Sequence, residues 1–351
     1  MTVRCVLKKG LAGLGLSLLL TGPAPAQGLV KFNGVTAQGG PTAQMFPVFV
    51  AMEKGFYKAE GLDVTLNYSK GSSDAARQLA AGNAEWGIFS SAATMQTVQR
   101  GFPLKAIMQI YYPDTFDVVV PADSPVKTMA DMKGKIIGVS DLAGGEVPMT
   151  RASIVEAGLK EGRDVRLVIA GEGDPTTVRS FKEGRIQAYA GAKRDLLLLP
   201  AQGIATRSIT PAAIAAFPGD ALLVRKETFE KNPELLVKFV RATLKGWAWG
   251  MANSAATFDL LKTKYAAASL GNNPVAPQFW ELVKTYYTAP ASVTKHGTLP
   301  PAGWKVYMDY LQLGEGEQKA LAGPVDLSAV LTDEIVLKAW DGLDIEAAKK
   351  P

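Results

Sequence analysis

Glu60–Leu66 reads EGLDVTL and Glu161–Leu167 reads EGRDVRL, so five of seven letters recur after 101 positions. The surroundings recur as well. Arg77–Gly82 (RQLAAG) returns as Arg179–Gly184 (RSFKEG) after 102 positions, and a short polar stretch precedes each copy, GSSDAA and then GEGDPTTV. In both copies a glycine follows a helical run, as expected where a chain leaves a helix through a left-handed residue. Apolar letters then alternate, Leu62, Val64 and Leu66 in one copy and Val165, Leu167 and Ile169 in the other, which predicts a strand. Ser72, Ser73 or Asp74 is expected to open the next helix of the first copy, and Asp174 before Pro175 that of the second. Those helices end at Gly82 and Gly184, with the apolar runs EWGIF and RIQAYA behind them. Strand, helix, strand occurs twice, and such units build parallel sheets because the crossover helix returns the chain to start the next strand in the same direction. The expectation is two α/β lobes, each a mainly parallel sheet flanked by helices; spacing alone leaves one continuous sheet open.

A chain of 351 residues exceeds the usual single-core size and suits two lobes. Residues 1–26 read as a cleavable signal peptide: Arg4, Lys8 and Lys9 precede the apolar run LAGLGLSLLL, and Ala24, Pro25 and Ala26 form an A-x-A cleavage pattern. A retained anchor is the alternative. Cleavage would remove the single cysteine, Cys5, and take the basic residues from 38 to 35 against 33 acidic ones, a net charge of +2 rather than +5. No basic stripe with interleaved aromatics points to nucleic acid. The expected location is the periplasm, and a monomer is expected.

Along the rest of the chain, FDVVVPADSPVKTMADMKGKIIGV holds two apolar runs joined by a Pro/Ser/Asp-rich piece that reads as a passage between lobes. FPGDALLVRKETF reads as the return. Two crossings imply a two-strand hinge and divide the chain into 27–118 with 219–351 as lobe 1 and 119–218 as lobe 2. Pro233 opens a long helix with Leu236, Phe239, Val240, Leu244, Trp247 and Met251 on its apolar face. The C-terminal third reads as amphipathic helices packed back on the first lobe, with its Trp and Tyr residues as scaffold.

Reactive groups are scarce. Without Cys5 there is no thiol, and the one histidine, His296, sits in the polar stretch SVTKHGT and reads as a surface-loop residue; no His triad or His/Cys metal site can be assembled. Neither a GxxxxGK[ST] nor a GxGxxG motif is present, and no metal or cofactor is expected. Four loops do stand out, each following a strand and opening a helix: Gly39–Phe46, Ser90–Thr94, Ser140–Val147 and Ala190–Lys193. Helix N-termini offer free N–H groups and a partial positive charge, and ligands of open α/β sheets bind beyond the carboxyl ends of strands. Two such loops on each lobe describe the walls of a binding cleft.

PVFVAMEKGFYKAEGLDVTL, QLAAGNAEWGI, GFPLKAI and TMADMKGKIIGV, in that order, resemble the periplasmic solute-binding proteins of ABC importers, in the group that binds nitrate, taurine, alkanesulfonates and thiamine-pyrimidine precursors. The resemblance implies a type II periplasmic binding protein fold, a small-molecule ligand held between the lobes, and delivery to an inner-membrane permease. Carried onto this chain, its contact loops fall on Thr42, Gln44, Met45 and Phe46, on Ser90 and Ser91, on Tyr111, on Gly144, Gly145 and Glu146, and on Gly191 and Ala192. Phe46, Tyr111, Tyr112 and Phe116 favour a flat or partly apolar solute, and helix N-termini suit an organic acid or sulfonate; a heterocycle fits as well. Glu146, if it faces the cleft, disfavours a small bare anion. Glu85 replaces the aspartate usual in this group, and bulky Trp86 follows it. Pyrimidine synthases of the same fold use a cysteine-rich segment and histidine that this chain lacks. A non-enzymatic receptor is therefore expected, with an exported enzyme using a cleft carboxylate, or a sensory subunit, as alternatives.

Overall fold

The computed structural model describes residues 1–2, 28–316 and 319–351. All but the first two residues of the expected signal peptide lie outside the described residues. Among the described residues, ten strands form two five-stranded sheets. The first contains β1 (Val30–Thr36), β2 (Leu62–Tyr68), β3 (Trp86–Ser90), β4 (Leu104–Gln109) and β10 (Asp220–Arg225), in the order β2-β1-β3-β10-β4. The second contains β5 (Phe116–Pro121), β6 (Lys135–Val139), β7 (Val165–Ile169), β8 (Ala188–Ala192) and β9 (Thr206–Ser208), in the order β7-β6-β8-β5-β9.

The doubled motif is a doubled topology. β1 lies parallel to β2 and β3, just as β6 lies parallel to β7 and β8. In each sheet the fourth strand runs antiparallel to both neighbours: β10 against β3 and β4, β5 against β8 and β9. EGLDVTL turns into the edge strand β2 at Gly61 (φ 79°), and EGRDVRL turns at Gly162 (φ 81°) before β7. Gly82 and Gly184 close the two crossover helices with φ of 80° and 68°. The second copy carries a wider turn, in which the Asp164 carboxylate accepts the Lys160 amide at 3.0 Å. Asp174 caps its helix as expected, accepting from Thr176 and Thr177 amides. In the first copy the cap position belongs to Gly71 (φ 128°) and not to Ser72, Ser73 or Asp74. A Cβ there would lie 2.9 Å from the Ala143 carbonyl of the opposite lobe, so only glycine fits so close an approach.

The chain passes between lobes at Ile110–Thr115 and again between β9 and β10. This corrects the expected hinge at the Pro121–Gly134 piece and the boundary at 118, which would cut β5. FDVVVP pairs along its length with β8 and β9, so the piece that follows is a turn inside the second lobe. The two passages are bonded to each other: the Ile110 and Tyr111 amides both donate to the Asp220 carbonyl at 3.0 Å, and the Asp114 amide donates to the Phe217 carbonyl at 2.9 Å.

Helix Pro233–Ala252 packs against helix Phe46–Glu53 and, on its other flank, helix Glu334–Trp340. Its Phe239 meets Phe32, Tyr57 and Trp86 at ring-centroid distances of 5.0, 5.3 and 4.9 Å. Gly34 leaves room for the Trp86 ring, whose Nε1 donates to the Phe32 carbonyl at 3.2 Å, while the Glu85 carboxylate accepts the Asn33 amide at 2.6 Å. Helix Pro301–Leu311 lies across the junction of the lobes. Tyr307 stacks on Phe217 at 4.2 Å, and the Tyr310 hydroxyl donates to the Glu156 carboxylate at 2.7 Å. His296 is not a surface residue: it is 7 % exposed and stacks on Trp247 at 3.7 Å, and burial pushes its imidazole down to about 3.

Candidate functional site

The carboxyl ends of β1, β2 and β3 face those of β6, β7 and β8 across a cleft, and three of the four predicted helix-opening loops line it, while Ser90–Thr94 stands one layer back. Two further loops join them, Lys70–Ser72 after β2 and Glu172 after β7; both lie in the polar stretches that precede the repeated helices. Together they enclose a cavity of about 60 Å³ lined by Gln38, Gln44, Lys70, Gly71, Ser72 and Asp220 from the first lobe. Phe116, Ser140, Gly144, Gly145, Glu146, Glu172, Ala192, Arg194 and Asp195 line it from the second. A second chamber of about 480 Å³ opens outward from it, sharing Gly39, Glu172, Arg194 and Asp195 and adding Gly40–Thr42, Leu198, Ala268, Ser269, Asn273 and Phe279.

The lobes touch at three places around this cavity. The Ser73 amide donates to the Ala143 carbonyl at 3.3 Å. Gly145 comes so near that an added Cβ would lie 2.8 Å from Ser72 Oγ. Arg194 Nη1 donates to Gln44 Oε1 at 3.1 Å. Gln44 is held from behind by its own carbonyl, which accepts from the hydroxyls of Tyr287 at 2.6 Å and Tyr111 at 3.1 Å.

The electrostatics are acidic. Glu146 is 2 % exposed, and its Oε1 accepts the Ser140 amide at 3.0 Å and hydroxyl at 2.5 Å; burial raises its carboxyl to about 7, against those bonds. Asp195 pairs with Arg194 Nε at 3.0 Å, yet burial outweighs that partner and raises it to about 6. Burial also works against the Arg194 charge, and Asp195 with Glu172, 3.8 Å away, more than restores it. Asp220 is 3 % exposed, and its carbonyl accepts from Gln109 Nε2 at 3.1 Å while its carboxylate accepts no hydrogen bond from any described residue; burial, with Asp114 nearby, raises it to about 7 despite Arg194.

Of the site residues expected from sequence, Gln44, Gly144, Gly145, Glu146 and Ala192 line the inner cavity and Thr42 the outer chamber. The others stand one layer back. Met45 and Phe46 are buried in the first-lobe core, Phe46 edge-on to Trp280 and Tyr287 at 5.3 and 4.7 Å. Ser90 caps helix Ser91–Gln99, and the Ser91 hydroxyl donates to the Gly219 carbonyl at 2.6 Å. Tyr111 acts on Gln44, and Gly191 pairs with Asp117 inside the sheet. Among the aromatic candidates only Phe116 reaches the cavity; Tyr112 turns away and accepts the Gly297 amide at 2.6 Å.

The profile of a family described as NMT1/THI5 like matches residues 42–256. A riboflavin-binding protein, RibY, from Chloroflexus aurantiacus is 26% identical over 312 residues, 84% of this chain and 83% of that protein. The yeast 4-amino-5-hydroxymethyl-2-methylpyrimidine phosphate synthase THI13 is 23% identical over 61% of this chain and 65% of its own. Among solved structures, a protein from Bordetella bronchiseptica superposes with a TM-score of 0.72 at 20% identity, covering 89% of this chain and 98% of that one. The periplasmic nitrate-binding protein NrtA from Synechocystis does so with a TM-score of 0.66 at 14% identity, over 92% and 91%. The fold is that of the periplasmic binding proteins.

Proposed function

Because the chain belongs to the NMT1/THI5-like family, we propose that it is an extracytoplasmic solute receptor, monomeric and periplasmic, that closes on a small organic molecule and delivers it to an ABC permease. The observation that carries this reading is the cavity itself. It lies between two lobes joined by two adjacent strand passages, and each lobe supplies about half of its lining. Opening about the passages would admit a solute, and closure would remove it from water, which strengthens every polar contact it makes. RibY and NrtA are named as binding proteins, which agrees with a receptor. Micromolar to nanomolar affinity, about −8 to −12 kcal/mol, would serve uptake. Small-angle scattering and thermal denaturation of the stripped protein, with and without extracts of the host, test it: compaction together with a rise in Tm is expected, and an extract that changes neither would overturn the reading.

Glu146 gives a second reading some support. A buried carboxyl at about 7 lies in the range of a general base, and THI13 is named as a synthase. Turnover that disappears in Glu146→Gln while binding persists would establish an enzyme; binding without turnover establishes the receptor.

A further inference from the structure

We propose that the cleft selects a solute with a cationic or N–H-rich nitrogen head seated against the Asp220 carboxylate, and that it rejects carboxylates and sulfonates of the same shape. This rests on the receptor reading and narrows its ligand.

The charges of the inner cavity are unbalanced. Four carboxylates line it, Glu146, Glu172, Asp195 and Asp220, against two cations, Lys70 and Arg194. Lys70 is exposed at the rim, and Arg194 is held by Asp195 at 3.0 Å, by Glu172 at 3.8 Å and by Gln44. An incoming anion would find no buried cation free to receive it. The helix N-terminus on the second-lobe side is equally occupied, since Glu146 lies in the first turn of its own helix and its carboxylate accepts Ser140 donors there. Asp220 is the opposite case. It is nine-tenths buried and more, faces the cavity, and its carboxylate accepts nothing from the described residues. A buried carboxylate is acceptor-only when ionised and is expensive to leave bare. A ligand that donates two hydrogen bonds and a positive charge satisfies it.

Size limits the head. About 10–15 Å³ of such space holds one water molecule, so a cavity of about 60 Å³ takes a group of a few heavy atoms, such as an amidine or ammonium head. The remainder of the solute would extend past Arg194 into the outer chamber of about 480 Å³, where Leu198, Ala268 and Phe279 offer apolar surface.

The test uses probes of one shape and three charges: benzamidine, benzamide and benzoate, with benzenesulfonate as a second anion. Each is titrated calorimetrically into the full-length mature protein after unfolding and refolding to strip bound solute, and into Asp220→Asn. Benzamidine is expected to bind at least tenfold more tightly than benzamide, with neither anion binding detectably, and Asp220→Asn to lose about tenfold or more for benzamidine alone. Circular dichroism establishes that the variant is folded, and Asp220→Glu, which keeps the charge, should retain a preference for the cation. Tighter binding of benzoate or benzenesulfonate, or undiminished benzamidine binding by Asp220→Asn, overturns the proposal. So does a panel in which no probe binds while a host extract still raises Tm, an outcome that leaves the receptor reading standing; an extract without effect removes the receptor reading itself.

Discussion

Replacing Asp220 by Asn should stabilise the ligand-free protein at alkaline pH, an unusual outcome for loss of a buried charge. Its carboxyl is raised to about 7 by burial and by Asp114 of the adjoining passage, against the pull of Arg194. In an unfolded chain an aspartate titrates near 3.9, and each unit of difference is worth about 1.4 kcal/mol. A carboxyl raised in the folded state holds its proton more tightly than in the unfolded one. Its penalty is therefore absent below about pH 4, grows between pH 4 and 7, and is complete above that. The full gap corresponds to about 4 kcal/mol. Relaxation around the site and the desolvated Asn amide would reduce the gain to about 2 kcal/mol. Unfolding entropy of about 2.1 cal/mol/K per residue converts this to a rise in Tm of about 3 °C for a chain of this length. Glu146, Asp195 and Asp114 titrate over the same range in both proteins, so the informative quantity is the difference between variant and wild type. Thermal unfolding of stripped protein at pH 8 and pH 5 measures it: a gain of about 3 °C at pH 8 that shrinks by more than half at pH 5. A lower Tm for Asp220→Asn at pH 8, or a difference that ignores pH, would refute the claim that this carboxylate is held without a donor.

Other expectations follow from single contacts. Gly71→Ala places a Cβ 2.9 Å from the Ala143 carbonyl at a φ of 128°; it should prop the lobes apart, abolish the compaction seen by small-angle scattering with a host extract, and cost about 1–3 kcal/mol in backbone strain. Gly34→Ala drives a methyl into the Trp86 ring and should lower stability by about 1–3 kcal/mol in chemical denaturation, without altering ligand preference. Arg194→Met leaves Asp195 buried without its partner and should destabilise by about 3 kcal/mol at pH 8, less at pH 5 where Asp195, raised to about 6, is largely protonated. Tyr287→Phe removes the 2.6 Å bond that holds the Gln44 carbonyl; calorimetry should show weaker solute binding by about threefold to tenfold with little change in Tm.

The lobes and the cleft were readable because the signals behind them are local. EGLDVTL and EGRDVRL each carry their turn glycine and strand alternation within seven letters, and the helix-opening loops announce themselves by Gly, Ser and Thr after an apolar run. The passage at Ile110–Thr115 is too short to break the apolar pattern, while the Pro-rich piece after β5 looks like a linker and stays inside the second lobe. Arg194 and Asp195 follow AGAK directly, but nothing in their spacing distinguishes a cavity-lining pair from a solvated one. Asp220 is hidden more deeply. It opens an ordinary apolar run, DALLVR, and its place in the cleft depends on β10 entering the first sheet between β3 and β4, a pairing between segments more than a hundred residues apart. Conversely, Met45 and Phe46 lie beside Gln44 in sequence but turn into the first-lobe core, and Tyr111 reaches the site only through its bond to the Gln44 carbonyl.

The hydrogen-bonded pair of passages gives Asp220 a mechanical position. Its carbonyl anchors the Ile110 and Tyr111 amides, while its carboxylate looks into the space where the solute would lie. One residue thus belongs both to the axle on which the halves swing and to the cargo hold. A guest gripping that side chain would pull at the fulcrum rather than at the tips of the jaws, where a small tilt of backbone becomes a large sweep at the rim.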